Sequence, residues 1–213
     1  MLNTISEKAR PRLNSRFNLS EKFCGSEARG PSMDHRTFDL TTLSLGRHLY
    51  QFYKSHHDYL RFMIPFFQTG LEKGEACLWL LSEKNHYDET YIFVEKTLPR
   101  FSFYRELNQL QILPAEDWYL CRGAFDEEQA LSNIGRYVER MEAKGFQRWR
   151  ASGDVGAIVP EDRIRFSAYE RKVHPLIKER SLTALCAYPL YDCNLPQIKS
   201  VVDCHDGVLA ARP

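Results

Sequence analysis

The carboxylates best placed for chemistry follow two predicted strands. Glu83 comes just after the apolar run ACLWLL, and Asp154 comes directly after Gly153, beyond the predicted strand at residues 146–151. In an open parallel sheet, ligands bind beyond the carboxyl ends of the strands, so either carboxylate is a candidate ligand contact. Asp154 is equally suited to capping the turn after Gly153. Both interpretations of Asp154 stay open.

Two further charged residues lie where the sequence predicts burial. Arg150 is flanked by Trp149 and Ala151 in a predicted strand, and Glu170 follows Tyr169 on the inner stripe of a predicted helix. A buried guanidinium requires a carboxylate partner, which Glu170 or Asp154 would supply. We favour a structural ion pair over an anion-recognition site, and both residues remain candidate ligand contacts.

Cysteines and histidines offer the donor atoms that soft metal ions prefer. Cys77 and Cys186 lie in successive apolar runs and could face one pocket, with His48 or His205 as the nitrogen donor. No local spacing such as CxxC supports a metal site, so we expect buried, inert thiols and no metal. His48 is expected to be a core histidine, with a ligand contact as the alternative.

Aromatic side chains crowd the predicted strand ends, although each taken alone could belong to an ordinary core. An apolar pocket with a few polar groups is what a sensor of small organic molecules needs. A cavity lined by Tyr53, Trp79, Asp154 and Tyr188 would be the observation that most strongly supports this interpretation. The complete set of candidate ligand-binding residues is His48, Tyr53, Cys77, Trp79, Glu83, Arg150, Asp154, Glu170, Cys186 and Tyr188.

Motifs for catalysis are missing from the sequence. There is no GxSxG nucleophile elbow and no HExxH zinc motif. We therefore expect no catalytic residues and no enzyme activity, and the sequence identifies no cofactor.

The elements that position these residues alternate along the chain between strand and helix patterns. Short apolar runs predict strands, and stripes with a period of 3.6 residues predict the helices between them. This alternation indicates a three-layer α/β fold with a mostly parallel sheet and helices on both faces. The predicted strands are residues 48–53, 76–81, 110–113, 146–151, 182–188 and 207–211; the predicted helices are residues 56–73, 87–96 and 127–143, with two more beginning near Pro160 and Pro196.

Composition and charge limit the class of protein. The chain has 213 residues, 43% of them hydrophobic, and a net charge of +1, which does not favour nucleic acid or membrane binding. No apolar run approaches the roughly 18 residues of a membrane helix, and the first residues lack the apolar segment of a signal peptide, so we expect a cytoplasmic protein. Residues 1–36 are polar and basic, and we interpret them as a disordered arm, with a nucleic-acid or docking segment as the alternative. The folded domain is expected to span residues 45–211.

Several blocks, in order, resemble a sensory family. The motif HLYQFY precedes F-x-x-G-L-x-x-G-E-x-C-L-W, which runs from Phe67 to Trp79; Arg150-Ala-Ser-Gly-Asp and Leu185-Cys-Ala-Tyr follow. Together they resemble the methanogen/methylotroph sensory (MEDS) domain. The resemblance implies a cytoplasmic signal-input domain for one-carbon or hydrocarbon-derived molecules, in a family often joined to helix-turn-helix regions or histidine kinases. Since no such module occurs in this sequence, we expect a histidine kinase or transcription regulator as a partner in trans.

The same blocks more distantly resemble RecA-like ATPases. In those proteins a glycine-rich loop cradles the phosphates before the first helix, whereas this chain has KSHHD at residues 54–58, without the glycines. A degenerate RecA-like fold without ATP hydrolysis is therefore expected. Two alternatives to the sensory role stay open: a residual nucleotide site with Asp154 and Glu83 around a metal ion, and an interaction module that needs no ligand.

Overall fold

A computed structural model describes residues 36–210 of the chain, so the predicted arm lies outside the described residues apart from Arg36. Strands and helices alternate through this range, as the sequence predicts. The strands are β1 (Arg36–Phe38), β2 (His48–Tyr53), β3 (Ala76–Leu81), β4 (Leu110–Pro114), β5 (Leu120–Cys121), β6 (Ala124–Phe125), β7 (Trp149–Asp154), β8 (Leu182–Pro189) and β9 (Gly207–Leu209). The helices are α1 (His56–Glu72), α2 (Tyr87–Thr97), α3 (Phe101–Glu106), α4 (Ala115–Tyr119), α5 (Glu127–Glu142), α6 (Arg163–Glu179) and α7 (Leu195–Cys204).

Seven of the strands form one parallel sheet in the order β1-β9-β2-β8-β7-β3-β4. Strands β5 and β6 form a separate antiparallel pair. Helices cover both faces of the large sheet, so the predicted α/β class with three layers is confirmed. Within residues 36–210, no helix is long and apolar enough to span a membrane.

Local sequence signals explain where the main helices begin. Ser55 caps α1 by accepting a hydrogen bond from the backbone of Asp58, and Asp126 caps α5 by accepting one from Gln129. Asn194 and Gln197 form a reciprocal capping box at the start of α7. These caps fix the entry points of the helices that pack on either face of the sheet.

The two faces of the sheet bury separate cores. One core lies against α4, α5, α6 and α7 and includes Leu78 and Cys186, whereas the other lies against α1, α2 and α3 and includes Cys77 and Trp79. Successive side chains of a strand point to opposite faces, so neighbours in sequence belong to different cores. We call these surfaces the α5/α6 face and the α1 face.

The structure adds elements that the sequence analysis does not predict. Strand β1 pairs with β9 at the edge of the sheet, and α3, α4 and the β5–β6 pair occupy segments too short to show a periodic pattern. Strand β7 begins at Trp149, three residues later than predicted, and continues to Asp154. Its shift matters because it places Arg150 at the beginning of the strand and Asp154 at its end.

Candidate functional site

A cavity of about 60 Å³ lies between the α5/α6 face of the sheet and helices α4, α5 and α6. Its volume is several times the roughly 10–15 Å³ that one water molecule requires, and it is far below the roughly 300 Å³ of pockets for drug-sized ligands. Apolar and aromatic side chains form most of its wall, among them Leu78, Leu80, Trp118, Tyr119, Phe166 and Tyr169. The cavity is therefore suited to a molecule of a few non-hydrogen atoms.

Three residues with polar side chains also line this cavity: His48, Glu170 and Cys186. Together with His205 they form a buried cluster in which one nitrogen, oxygen or sulfur atom of each residue lies within 4.8 Å of the others. The His48 Nε2 atom is 3.4 Å from Cys186 Sγ, and the His205 Nε2 atom is 3.7 Å from Glu170 Oε1. The two imidazole ring centroids are 4.0 Å apart. We call these four residues the His–Cys–Glu cluster.

Four different elements place the His–Cys–Glu cluster. His48 opens β2 opposite Ala184, and Cys186 lies two residues further along β8, so both point to the α5/α6 face. Glu170 lies on α6, and His205 follows the last residue of α7 just before β9 joins β2. The parallel pairing of β2 with β8 and β9 therefore assembles residues that are more than a hundred positions apart in sequence.

The His205 ring is held in one orientation. Its Nδ1 atom lies 2.7 Å from the carbonyl oxygen of Val201, which can only accept a hydrogen bond. Nδ1 therefore carries the proton, and Nε2 presents a lone pair. That Nε2 atom is buried and has no hydrogen-bond partner. An unsatisfied buried nitrogen aimed into a cluster of donor atoms is uncommon in proteins.

Burial sets the charge of the cluster. It lowers the pKa of His48 well below its ordinary value and lowers the pKa of His205 to about 4, so both imidazoles are neutral at pH 7. Burial raises the pKa of Glu170 to about 7, although a hydrogen bond donated by the Tyr188 hydroxyl opposes this rise. Burial also raises the pKa of the Cys186 thiol. At pH 7 the cluster therefore holds two neutral imidazoles and a neutral thiol, and about half of the Glu170 carboxyl groups are ionised.

A second buried network of hydrogen bonds surrounds Asp154 at the carboxyl ends of the strands. Its carboxylate accepts hydrogen bonds from the Ser82 backbone and hydroxyl at 3.0 and 2.7 Å, and from Asn85 at 2.7 Å. Gly156 and Tyr53 donate to the other oxygen at 3.0 and 3.3 Å. Because these donors occupy both oxygens, the geometry supports the turn-cap interpretation of Asp154.

Arg150 forms a buried ion pair, as predicted, but the predicted partners are wrong. Its Nε atom lies 2.6 Å from a Glu75 carboxylate oxygen, and Nη1 donates to the Phe66 carbonyl at 2.6 Å. The side chain points to the α1 face, whereas Glu170 approaches the opposite face and Asp154 lies at the far end of β7. Side-chain alternation along β7 thus separates Arg150 from Glu170, and the length of the strand separates it from Asp154.

Cys77 and Cys186 do not share a pocket. Cys77 lies opposite Arg150 in the β3–β7 register, and Cys186 lies opposite Gly153 in the β7–β8 register. Arg150 and Gly153 are three positions apart on β7, an odd offset, so the two thiols lie on opposite faces of the sheet. The possibility that they face one pocket is therefore excluded.

Two hollows of the described residues lie elsewhere than beside Tyr53, Trp79, Asp154 and Tyr188. None of the four lines the cavity on the α5/α6 face, nor a second hollow of about 140 Å³ beside Leu40, Gln51 and Leu209. Trp79 instead stacks on Phe67 with ring centroids 4.6 Å apart, and its indole N–H donates to the Tyr59 hydroxyl. Glu83 is exposed at the start of a short turn.

Of the predicted site residues, the structure brings together His48, Glu170 and Cys186. The Tyr188 hydroxyl donates a hydrogen bond to Glu170. The sequence analysis leaves His205 out of the candidate set. The signal that could have found it is the predicted edge strand beginning at Gly207, since pairing of that strand with β2 places His205 beside His48.

Comparison with known families gives one match. The model of MEDS, the MEthanogen/methylotroph, DcmR Sensory domain, matches residues 47–206, a range that contains all four residues of the His–Cys–Glu cluster. A comparison with curated proteins finds no match.

Proposed function

Because the chain belongs to the MEDS family of sensory domains, we propose that it is a signal-input domain that binds a small organic molecule in the cavity on the α5/α6 face. The observation that carries this proposal is an apolar cavity of about 60 Å³ with polar groups at His48, Glu170 and Cys186. A buried apolar wall with a few convergent polar groups is the usual form of a small-molecule site.

The cavity suits a one-carbon compound or a short hydrocarbon derivative. Its aromatic and aliphatic wall favours an apolar body, and its volume limits that body to a few atoms. The neutral imidazole of His48 and the carboxyl group of Glu170 offer hydrogen bonds to one polar substituent. The cavity thus favours small molecules that combine an apolar part with one heteroatom.

Binding in this cavity would pass its signal through the helices that cover it. Glu170 lies on α6, and α6 also packs against α7, whose end carries His205. A histidine kinase or a transcription regulator is the kind of partner we propose to receive the signal.

A residual nucleotide site has less support. The amino end of α1 is capped by the Ser55 side chain and carries Asp58 in its first turn, where a negative charge opposes phosphate binding. The Asp154 carboxylate is engaged by Ser82, Asn85 and Gly156 rather than free to hold a metal ion.

Calorimetry and thermal-shift measurements with one-carbon compounds, short alcohols, halocarbons and nucleotides test the proposal. We expect a compound from one of the first three groups to bind and nucleotides to give no heat. Ala151 lines the cavity, so Ala151→Val should reduce that binding by filling the space. Ala76→Val is the matched control, because Ala76 is buried in the same core without lining the cavity.

Two outcomes would reject the cavity as the binding site. One is the absence of any heat or thermal shift across the whole set of compounds. The other is unchanged affinity in an Ala151→Val variant whose unfolding curve shows that it is folded. Binding of a nucleotide, lost in Asp154→Ala, would favour the residual nucleotide site instead.

A further inference from the structure

We propose that the His–Cys–Glu cluster is a binding site for one Zn²⁺ ion, with His48, Cys186, His205 and Glu170 as its ligands. The four donor atoms are buried and lie within 4.8 Å of one another. They come from β2, β8, α6 and the residue after α7, so the fold rather than a local sequence motif brings them together. Three of these ligands, His48, Cys186 and Glu170, also line the cavity, but the zinc site is inferred from the donor atoms themselves and does not require the cavity to bind an organic molecule.

The distances agree with tetrahedral zinc. Zinc binds imidazole nitrogen and carboxylate oxygen at about 2.0–2.2 Å and thiolate sulfur at about 2.3 Å, which places adjacent ligand atoms roughly 3.4 to 3.6 Å apart. The His48 Nε2–Cys186 Sγ distance is 3.4 Å and the His205 Nε2–Glu170 Oε1 distance is 3.7 Å. The other pairs lie within 4.8 Å and would close by up to about 1.4 Å on binding, through small rotations of the four side chains.

The orientation of His205 is an independent observation that points to a metal ligand. Histidines that bind metals usually donate their other ring N–H to a carbonyl or carboxylate, which fixes the ring and directs the lone pair to the ion. His205 does this through Nδ1 and the Val201 carbonyl, while its buried Nε2 atom has no partner. Zinc bound at that nitrogen would satisfy it.

The donor set also selects the class of ion. Thiolate and imidazole donors favour zinc and related transition metals over Mg²⁺ and Ca²⁺, which prefer oxygen. Ionised Cys186 and Glu170 would carry two negative charges and neutralise Zn²⁺, so the buried complex would have no net charge. Zinc binding at this site must therefore displace the protons of both groups.

Cobalt substitution gives a direct readout of the proposed ligands. The full chain is reduced, treated with a chelator, and titrated with Co²⁺ and then with Zn²⁺. We expect one equivalent of Co²⁺ to produce a thiolate-to-metal charge-transfer band in the near ultraviolet, and Zn²⁺ to remove that band. Cys186→Ala should abolish the band and weaken Co²⁺ binding by more than about 100-fold.

Cys77→Ala is the matched control, because Cys77 is an equally buried thiol on the α1 face. It should keep the band at full intensity. His205→Gln and Glu170→Gln should each weaken Co²⁺ binding and alter the visible spectrum, because each removes one proposed ligand. Circular dichroism of every variant establishes that it is folded before titration.

The zinc site would be overturned if the folded native chain gave no stoichiometric Co²⁺ band, or if folded Cys186→Ala retained the band. Should Cys186→Ala fail to fold, the titration of the native chain and of Glu170→Gln decides the question. Both titrations are made without any small organic molecule, so their result is separate from that of the cavity-binding experiment.

Discussion

At the scale of single residues, buried charges are satisfied by specific partners rather than by solvent. Arg150 is enclosed on the α1 face by Glu75, the Phe66 carbonyl and the Phe66 ring. A buried ion pair contributes little over an apolar pair of the same shape, but removing one member leaves an uncompensated charge. The pair therefore makes this part of the core sensitive to single substitutions.

Glu75→Gln should lower the free energy of unfolding by about 3–5 kcal/mol, because it leaves the Arg150 guanidinium buried without a counter-charge. Urea denaturation measures the change. Glu142→Gln, at the exposed end of α5, is the control and should change stability by less than about 0.5 kcal/mol. A Glu75→Gln variant as stable as the control would contradict this account of the ion pair.

Substitution of Asp154 should lower the free energy of unfolding about as much as substitution of Glu75, for a different reason. Asp154→Asn replaces one acceptor oxygen with an NH₂ group that faces donors from Ser82 and Asn85 or from Gly156. Each buried donor left unsatisfied costs about 1–3 kcal/mol, so we expect a loss of about 3 kcal/mol or more. The measurement is the urea midpoint compared with that of Asp88→Asn, an exposed control. Equal midpoints would show that the Asp154 network is not structural.

At the scale of elements, close contact between α1 and β7 depends on glycine. A Cβ atom at Gly70 would lie 2.7 Å from Arg150 Nε and 2.8 Å from Arg150 Cδ. Since Glu75 and the Phe66 carbonyl hold that side chain in place, it cannot move aside without losing its ion pair. The F-x-x-G-L motif thus has a packing role in joining the helix to the strand.

Gly70→Ala and Gly135→Ala should have opposite effects on stability. Gly70→Ala should destabilise the protein by about 1–3 kcal/mol through overpacking against Arg150. A Cβ atom at Gly135, in α5, would meet nothing within 4 Å, so Gly135→Ala should stabilise by about 0.5–1 kcal/mol through helix propensity alone. Thermal unfolding of both variants measures the difference. Stabilisation by both substitutions would contradict the close contact.

Sequence patterns predict the long elements well and the short ones poorly. The predicted bounds of β2 and β3 agree with the structure residue for residue, because β2 is a short aromatic-rich segment and β3 a continuous apolar run, and a polar residue follows each. Strand β1 has only three residues and gains its stability from pairing with β9, so its sequence contains no periodic signal. Helix α4 has only five residues, too few to show a periodic pattern, although its Trp118 and Tyr119 line the cavity.

At the scale of the whole molecule, the site depends on pairings between distant parts of the chain. His48, Glu170 and Cys186 are predicted as separate candidates, but their proximity requires the β2–β8 register and the packing of α6, which no local pattern encodes. At the strand ends, where the sequence analysis looks for the ligand, the Tyr53 hydroxyl instead donates a hydrogen bond to Asp154. The open space lies instead under α5 and α6.

Methyl NMR spectra of the native chain during titration with one-carbon compounds, short alcohols and halocarbons test the central claim most directly. If a small organic molecule enters the cavity, the Ala151, Val138 and Val173 methyl signals should shift together and saturate, because these residues line it. The Ala187 methyl, buried on the α1 face, should not move. Spectra that stay unchanged with every compound, or shifts confined to the α1 face, would contradict the account.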